Sequence, residues 1–257
     1  MEEFKITKKM ENGSFYLLTF SIGALLFFLL AEIMRIIMLG VFEAKTPGFA
    51  LEFLELLSQY KLNLFTDDMW LVLTSSMFFS NLILGILMII FLKKIFIRDF
   101  KRFKEDLGHN IGGIFIGFVF LIVINLLMTN IYKLFGITGV SDNQATILLG
   151  FESKYAIFMY LGVLLAPLTE EIIFRQLFFG VIEEKFKWPW YLSVIISAAI
   201  FAALHDVSIF FIQYFLMGLV LCLGYSLFKK NIFVPIGIHF LNNAVPLLFL
   251  TIMNIIK

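Results

Sequence analysis

Tyr155-Ala-Ile-Phe-Met-Tyr-Leu-Gly-Val-Leu-Leu-Ala-Pro-Leu-Thr-Glu170-Glu171-Ile-Ile-Phe-Arg175 sets two carboxylates and a guanidinium inside a run that stays apolar from Tyr155 to Ile182. As a helix, this run carries Glu170 roughly 22 Å from Tyr155, well inside a hydrocarbon layer about 30 Å thick. An ionisable group at that depth costs on the order of 3 kcal/mol, so each one needs a partner or a task. Glu171 and Arg175 are four apart on one helical face in the acid-then-base order, and are expected to pair. Glu170 points about 100° away and has no cation at helical spacing. Pro167 removes one helical hydrogen bond just upstream. A lone carboxylate beside opened backbone is suited to general acid or base work.

The rest of the chain supports a membrane setting. Of 257 residues, 61% are apolar and 15% charged, with a mean hydropathy of +0.96; soluble domains run at about 45–50% and about 25%. Apolar runs extend over Phe15–Leu39, Met69–Leu92, Ile111–Tyr132, Tyr155–Ile182, Trp190–His205, Ile209–Phe228 and Ile232–Ile256. The expected fold is an all-α, polytopic membrane helix bundle of about seven spans, forming a single membrane domain over 1–257. The first run is too long for a cleaved secretory signal and is expected to be retained. In Ile111-Gly-Gly-Ile-Phe-Ile-Gly117, small residues permit close helix approach. Phe49-Ala-Leu-Glu-Phe-Leu-Glu-Leu-Leu57 has the pattern of an interfacial amphipathic helix after the first span.

Outside the spans, Lys and Arg collect in the head (Lys5, Lys8, Lys9), in the loop expected at 93–106 and in the connection at Lys229-Lys230, whereas 41–68 is acidic. With seven spans these basic places share one side, which predicts the N-terminus inside and the C-terminus outside. The net charge of +1 gives no ground for a nucleic-acid partner. A single cysteine, Cys222, rules out a disulfide framework and a Cys-based zinc site.

Further polar residues interrupt the later runs. Phe201-Ala-Ala-Leu-His205 closes the fifth, where Asp206 is expected to fix the tautomer of His205. His239-Phe-Leu-Asn242-Asn243 lies in the seventh, between Pro235 and Pro246, which are expected to distort the helix. Glu32/Arg35, Asn81, Asn125 and Asn130 are read as structural and His109 as solvated. One unpaired Glu, two His and one Asn on three apolar helices are costly unless they converge on one hydrated cavity. There, Glu170 and His205 could deprotonate a water while His239 and Asn243 donate to the oxyanion of a tetrahedral intermediate. Spacing leaves open whether that water is held without a cofactor or by Zn2+ on Glu170, His205 and His239. No HExxH, Gly-rich phosphate loop or GxSxG is present.

In this order the three elements resemble the CPBP family of intramembrane proteases, also called Abi or type II CAAX endopeptidases, whose signature is EExxxR, FxxxH and HxxxN on successive membrane helices. The resemblance covers about 110–250, with Asn143-Gln144 a further bacterial-looking feature. It implies Glu170 and His205 as water activators, His239 and Asn243 as the oxyanion site, and Glu171 and Arg175 in support. It also implies a hydrophobic or membrane-associated peptide substrate in a bacterial cytoplasmic membrane, in peptide maturation or bacteriocin self-immunity. The alternative is a non-catalytic immunity or regulatory protein that binds a sensor kinase or a peptide; a small transporter using the polar cluster as a relay is a third reading. One geometric tension remains. His205 lies about 15 residues into its helix and His239 about 7, a mismatch of roughly 12 Å if both helices start at one depth.

Overall fold

The computed structural model describes residues 12–256, with side chains to residue 253. Lys5, Lys8 and Lys9 lie outside the described residues. The described residues form ten α-helices and no strand: α1 (Gly13–Lys45), α2 (Phe49–Ser58), α3 (Asp67–Phe91), α4 (Lys93–Glu105), α5 (Leu107–Leu134), α6 (Asp142–Glu152), α7 (Ala156–Glu171), α8 (Trp190–His205), α9 (Phe211–Leu227) and α10 (Phe233–Ile256). Beyond Glu171, α7 continues as two π-helical pieces, Ile172–Phe178 and Val181–Lys185.

Among the described residues, five helical stretches are long and apolar enough to cross a membrane: α1, α3, α5, Ala156–Lys185 and α10. The other two apolar runs become α8 and α9, of 16 and 17 residues, about 25 Å each and shorter than the hydrocarbon layer. The chain is thus a multi-pass membrane protein of five long helices and a shorter hairpin, α8 and α9, which packs against the π-helical pieces, α5 and α10. Large apolar side chains face outward, as on α5, where Ile116 is 61% and Leu126 60% exposed. Polar side chains such as Gln176, Ser193 and Ser197 are buried, while outward ones such as Asn130 donate to a carbonyl of their own helix.

Local chemistry sets the helix ends. The Ser141 and Thr66 hydroxyls accept from Gln144 N (3.1 Å) and Met69 N (3.3 Å) to start α6 and α3. Both carboxylate oxygens of Glu43 accept backbone N–H groups, of Gly48 and Ala50 at 2.8 Å each, and so launch α2. That helix takes the place expected for the interfacial one. Pro235 lies in the first turn of α10, where its missing N–H has no helical partner to lose, so the distortion expected there does not arise.

Small residues allow the tight crossings. A Cβ on Gly117 of α5 would come within 2.5 Å of Ile238 on α10, and one on Gly218 of α9 within 2.9 Å of Ala198 on α8.

The basic stretch 93–106, expected as a loop, is the amphipathic helix α4. Its buried Asp99 accepts from Ile232 N at 3.3 Å, and its backbone carbonyl accepts from Asn231 Nδ2 at 2.8 Å. This latch joins α4 to the turn before α10, and Lys229 pairs with Asp106. Two of the three basic places therefore meet at one end of the bundle, next to the start of α1, where Gly13 packs on Glu184 and Lys185. The latch also resolves the depth mismatch. Asn231, Ile232 and Val234 are 2%, 1% and 0% exposed, so α10 starts beneath α4, inside the protein.

Candidate active site

Glu170 is near the C-terminal end of α7, His205 is the last residue of α8, and His239 lies in the second turn of α10. Glu170 Oε2 is 3.6 Å from His205 Nε2 and 4.0 Å from His239 Nε2. Together with Asn243, all three line one cavity of about 570 Å³. The convergence expected from sequence is present.

Hydrogen bonding fixes both imidazoles. His205 Nδ1 is 2.8 Å from the Phe201 carbonyl, which only accepts, so Nδ1 donates. His239 Nδ1 likewise donates to Glu171 Oε1 at 2.8 Å. In their neutral forms both rings therefore turn a bare Nε2 lone pair towards Glu170 Oε2, a third acceptor that has no hydrogen-bond partner of its own. Three lone pairs aimed at one point, too far apart to bond directly, make a place for a proton-bearing guest such as a water.

Asp206 is not the tautomer-fixing partner. Its backbone is extended (φ −164°), which turns its carboxylate away to accept from Ser208 N at 2.6 Å and Asp142 N at 3.2 Å.

The second carboxylate has a different job. Glu171 Oε2 pairs with Arg175 Nε at 3.0 Å, both side chains being 0% exposed, while Oε1 holds His239. The Arg175 guanidinium also lies 4.5 Å from the centre of the Phe201 ring. The helix around Arg175 is π-helical, a form that recurs at functional sites.

Asn243 answers the defect made by Pro167. Lacking an N–H, Pro167 leaves the carbonyl four residues back without its helical donor. That carbonyl, of Val163, accepts from Asn243 Nδ2 at 3.0 Å. One N–H of Asn243 is thereby committed, and its second remains for the cavity.

Sequence reasoning overlooked other lining residues. Asn81, Asn125 and Glu32, read as structural, line the cavity, and Asn125 both donates to Asn242 (3.3 Å) and accepts from Gln213 (2.9 Å). Tyr214 also lines it and gave no signal, because an aromatic residue inside an apolar run looks like any lipid-facing one. His109 stacks on the Phe228 ring at 4.7 Å. Among the described residues, no group of three His, Cys, Asp or Glu is placed to hold a metal ion.

Residues 152–245, which contain all four converging side chains, match the model of the type II CAAX prenyl endopeptidase Rce1-like family. The site lies in an Rce1-like segment. Two bacterial relatives extend the likeness beyond it. The membrane-embedded CAAX protease MroQ of Staphylococcus aureus (strain USA300) is 30% identical over 154 residues, 57% of this chain and 60% of the relative. The putative membrane peptidase YdiL of Bacillus subtilis (strain 168) is 29% identical over 153 residues, 59% of each chain. The matched region thus spans about 60% of the length of these curated relatives. No solved structure matches the chain. Within the Rce1-like segment fall EExxxR at Glu170–Arg175, FxxxH at Phe201–His205 and HxxxN at His239–Asn243.

Proposed function

We propose that this protein is an intramembrane endopeptidase that hydrolyses peptide bonds of hydrophobic or membrane-associated peptides. The observation that carries this reading is the convergence of buried Glu170 Oε2 and the two Nε2 lone pairs on one point at the cavity wall. A water there gives one proton to Glu170, oriented by His205, as its oxygen attacks the scissile carbonyl carbon. The oxyanion formed accepts from the free N–H of Asn243 and from His239. His239, neutral in the resting site, donates once its Nε2 takes up a proton from solvent as substrate binds, giving an imidazolium that Glu171, 2.8 Å away at Nδ1, stabilises. The proton on Glu170 then passes to the leaving nitrogen as the C–N bond breaks. Arg175 holds Glu171 in place.

The wall around this point is largely apolar, with Phe27, Phe158, Met217 and Leu247 beside the amides, which suits an apolar peptide more than a soluble one. We place the basic end of the bundle, with α4 and Lys229-Lys230, at the inner face of a bacterial cytoplasmic membrane. Peptide maturation or bacteriocin self-immunity would use this same hydrolysis.

The test is cleavage of internally quenched apolar peptides by the purified protein in liposomes. Glu170→Gln and His205→Ala should each abolish turnover while the protein stays folded and inserted. Full cleavage by either variant would reject the mechanism. A Glu170→Gln variant that still confers protection in cells would favour the non-catalytic binding reading instead.

A further inference from the structure

Tyr214 of α9 belongs to none of the three sequence elements that form the site, yet it touches His205. Their ring centroids are 4.9 Å apart with planes inclined by 31°, and the Phe201 ring lies against the same imidazole at 4.2 Å and 35°. His205 thus has ring contacts with an aromatic residue of its own helix and with one from the next. Its other constraint is the single Nδ1 hydrogen bond to the Phe201 carbonyl.

The Tyr214 hydroxyl points the other way, to the start of α6. It hydrogen-bonds Ser141 Oγ at 2.8 Å and accepts from Asn143 Nδ2 at 3.2 Å. Ser141 is the N-cap of α6, and the next backbone N–H, of Asp142, donates to Asp206 beside His205. Helix α6 lines the cavity with Asn143, Gln144, Ile147, Leu148 and Phe151. The loop before it turns through Gly136 (φ +70°) and Gly139 (φ +119°), backbone conformations that favour glycine. One side chain therefore joins the helix that walls the cavity to the imidazole facing Glu170.

Resting on the endopeptidase reading for its consequences, we propose that Tyr214 is a positioning residue: its ring fixes the plane of His205 and its hydroxyl sets the start of α6 against the cavity. A substrate lying against α6 then meets His205 already aimed at the water. Ring and hydroxyl have separate effects. Losing the ring frees His205 to rotate, which lowers kcat; losing the hydroxyl loosens α6, which raises KM.

The experiment uses the full chain, Tyr214→Phe and Tyr214→Leu, with thermal unfolding as the check of folding. Because the sequence holds three histidines, ring 15N NMR of histidine-labelled protein resolves His205. Tyr214→Phe should preserve the His205 signals and raise KM about 5-fold, the equivalent of one hydrogen bond of about 1 kcal/mol, with much the smaller loss in kcat. Tyr214→Leu should convert the single Nδ1–H signature to a tautomer mixture and lower kcat about 10- to 100-fold, the scale of a small misplacement of a reacting group. An unchanged His205 spectrum in folded Tyr214→Leu overturns the proposal, as does a kcat loss in Tyr214→Phe equal to that in Tyr214→Leu. The spectrum needs no turnover. A wild-type protein that cleaves no peptide defeats the endopeptidase reading, while the spectrum still decides the contact.

Discussion

Glu170→Gln and Glu171→Gln are the same chemical change at adjacent residues, and the structure gives them opposite effects on stability. Glu170 Oε2 is a buried acceptor facing two further acceptors, His205 Nε2 at 3.6 Å and His239 Nε2 at 4.0 Å. A buried polar atom without a partner costs about 1–3 kcal/mol. The side-chain amide introduced by Glu170→Gln supplies the N–H that these lone pairs lack. Glu170→Gln should therefore stabilise the protein by about 2 kcal/mol, raising Tm by about 4–8 °C for a chain of this size. Glu171 is held on both sides, by an ion pair with Arg175 at 3.0 Å and a hydrogen bond from His239 at 2.8 Å. Glu171→Gln strands a fully buried guanidinium, a loss of about 3–5 kcal/mol, or about 6–20 °C in Tm. Cys222, the sole cysteine and 0% exposed, allows a thiol-reactive fluorogenic dye to report unfolding in detergent without further labelling. Both variants should lose peptide cleavage, so activity alone does not separate them. A fall in Tm for Glu170→Gln comparable to that for Glu171→Gln would refute the argument, because Glu170 would then be a satisfied structural partner.

Asn243→Ala should cost about 1–3 kcal/mol by orphaning the Val163 carbonyl; adding Pro167→Ala, which returns a helical N–H to that carbonyl, should recover much of the Tm but none of the turnover. Equal recovery of both would remove Asn243 from the chemistry. Asp99→Ala should lower Tm by about 2–6 °C through loss of a buried hydrogen bond worth about 1–1.5 kcal/mol, and should reduce kcat as α10 loses its register with His239; an unchanged kcat would show that the latch does not set the depth of His239. Treatment with phenanthroline should leave cleavage intact if water is held by Glu170 and the imidazoles alone, whereas inhibition reversed by added Zn2+ would make the three lone pairs metal ligands. Single cysteines introduced at Lys230 and at Ser58, with buried Cys222 as a silent background, should label from the inner and outer faces respectively, and the reverse pattern would invert the topology.

What the sequence made legible is what lies within one helix. Glu171 and Arg175 were expected to pair because four residues complete about one turn, and they do so at 3.0 Å. Pro167 announced a free carbonyl by its missing N–H. The residue that fills it, Asn243, comes from a helix 80 positions further along the chain, and no local pattern could name it. Glu171 and His239 are 68 positions apart and are joined for the same reason only by packing. Asp206 misled because adjacency in sequence is not adjacency at a helix end: once the chain leaves α8 in an extended conformation, its carboxylate swings to Ser208 and Asp142. Helix α4 was hidden by its charge. Its inward face carries Ile95, which is apolar, but also Asp99, whose carboxylate reads as solvent-facing until the Ile232 amide that it receives is known.

These misses share a cause that bears on the function. In lipid, a polar side chain is tolerated when its partner is inside the bundle, and among the described residues most inward-facing polar groups have one: Thr169 with Asn81, Ser197 with Phe174 O, Gln176 with Tyr16 and Tyr225. Against that background the lack of a hydrogen-bond partner at Glu170 Oε2 is informative. Glu171 Oε2 and Arg175 are also short of hydrogen bonds, but they form an ion pair with each other, and Arg175 has the face of Phe201. Glu170 has only two lone pairs for company, beside a cavity large enough for a peptide segment. A fold under selection for stability alone would replace that carboxylate with an amide or an apolar residue, so its retention makes sense if the missing partner arrives with the reaction. Variants at position 170 that restore the missing donor should therefore gain stability as they lose turnover. Variants at the satisfied polar sites, Thr169→Val or Gln176→Leu, should lose stability without that exchange.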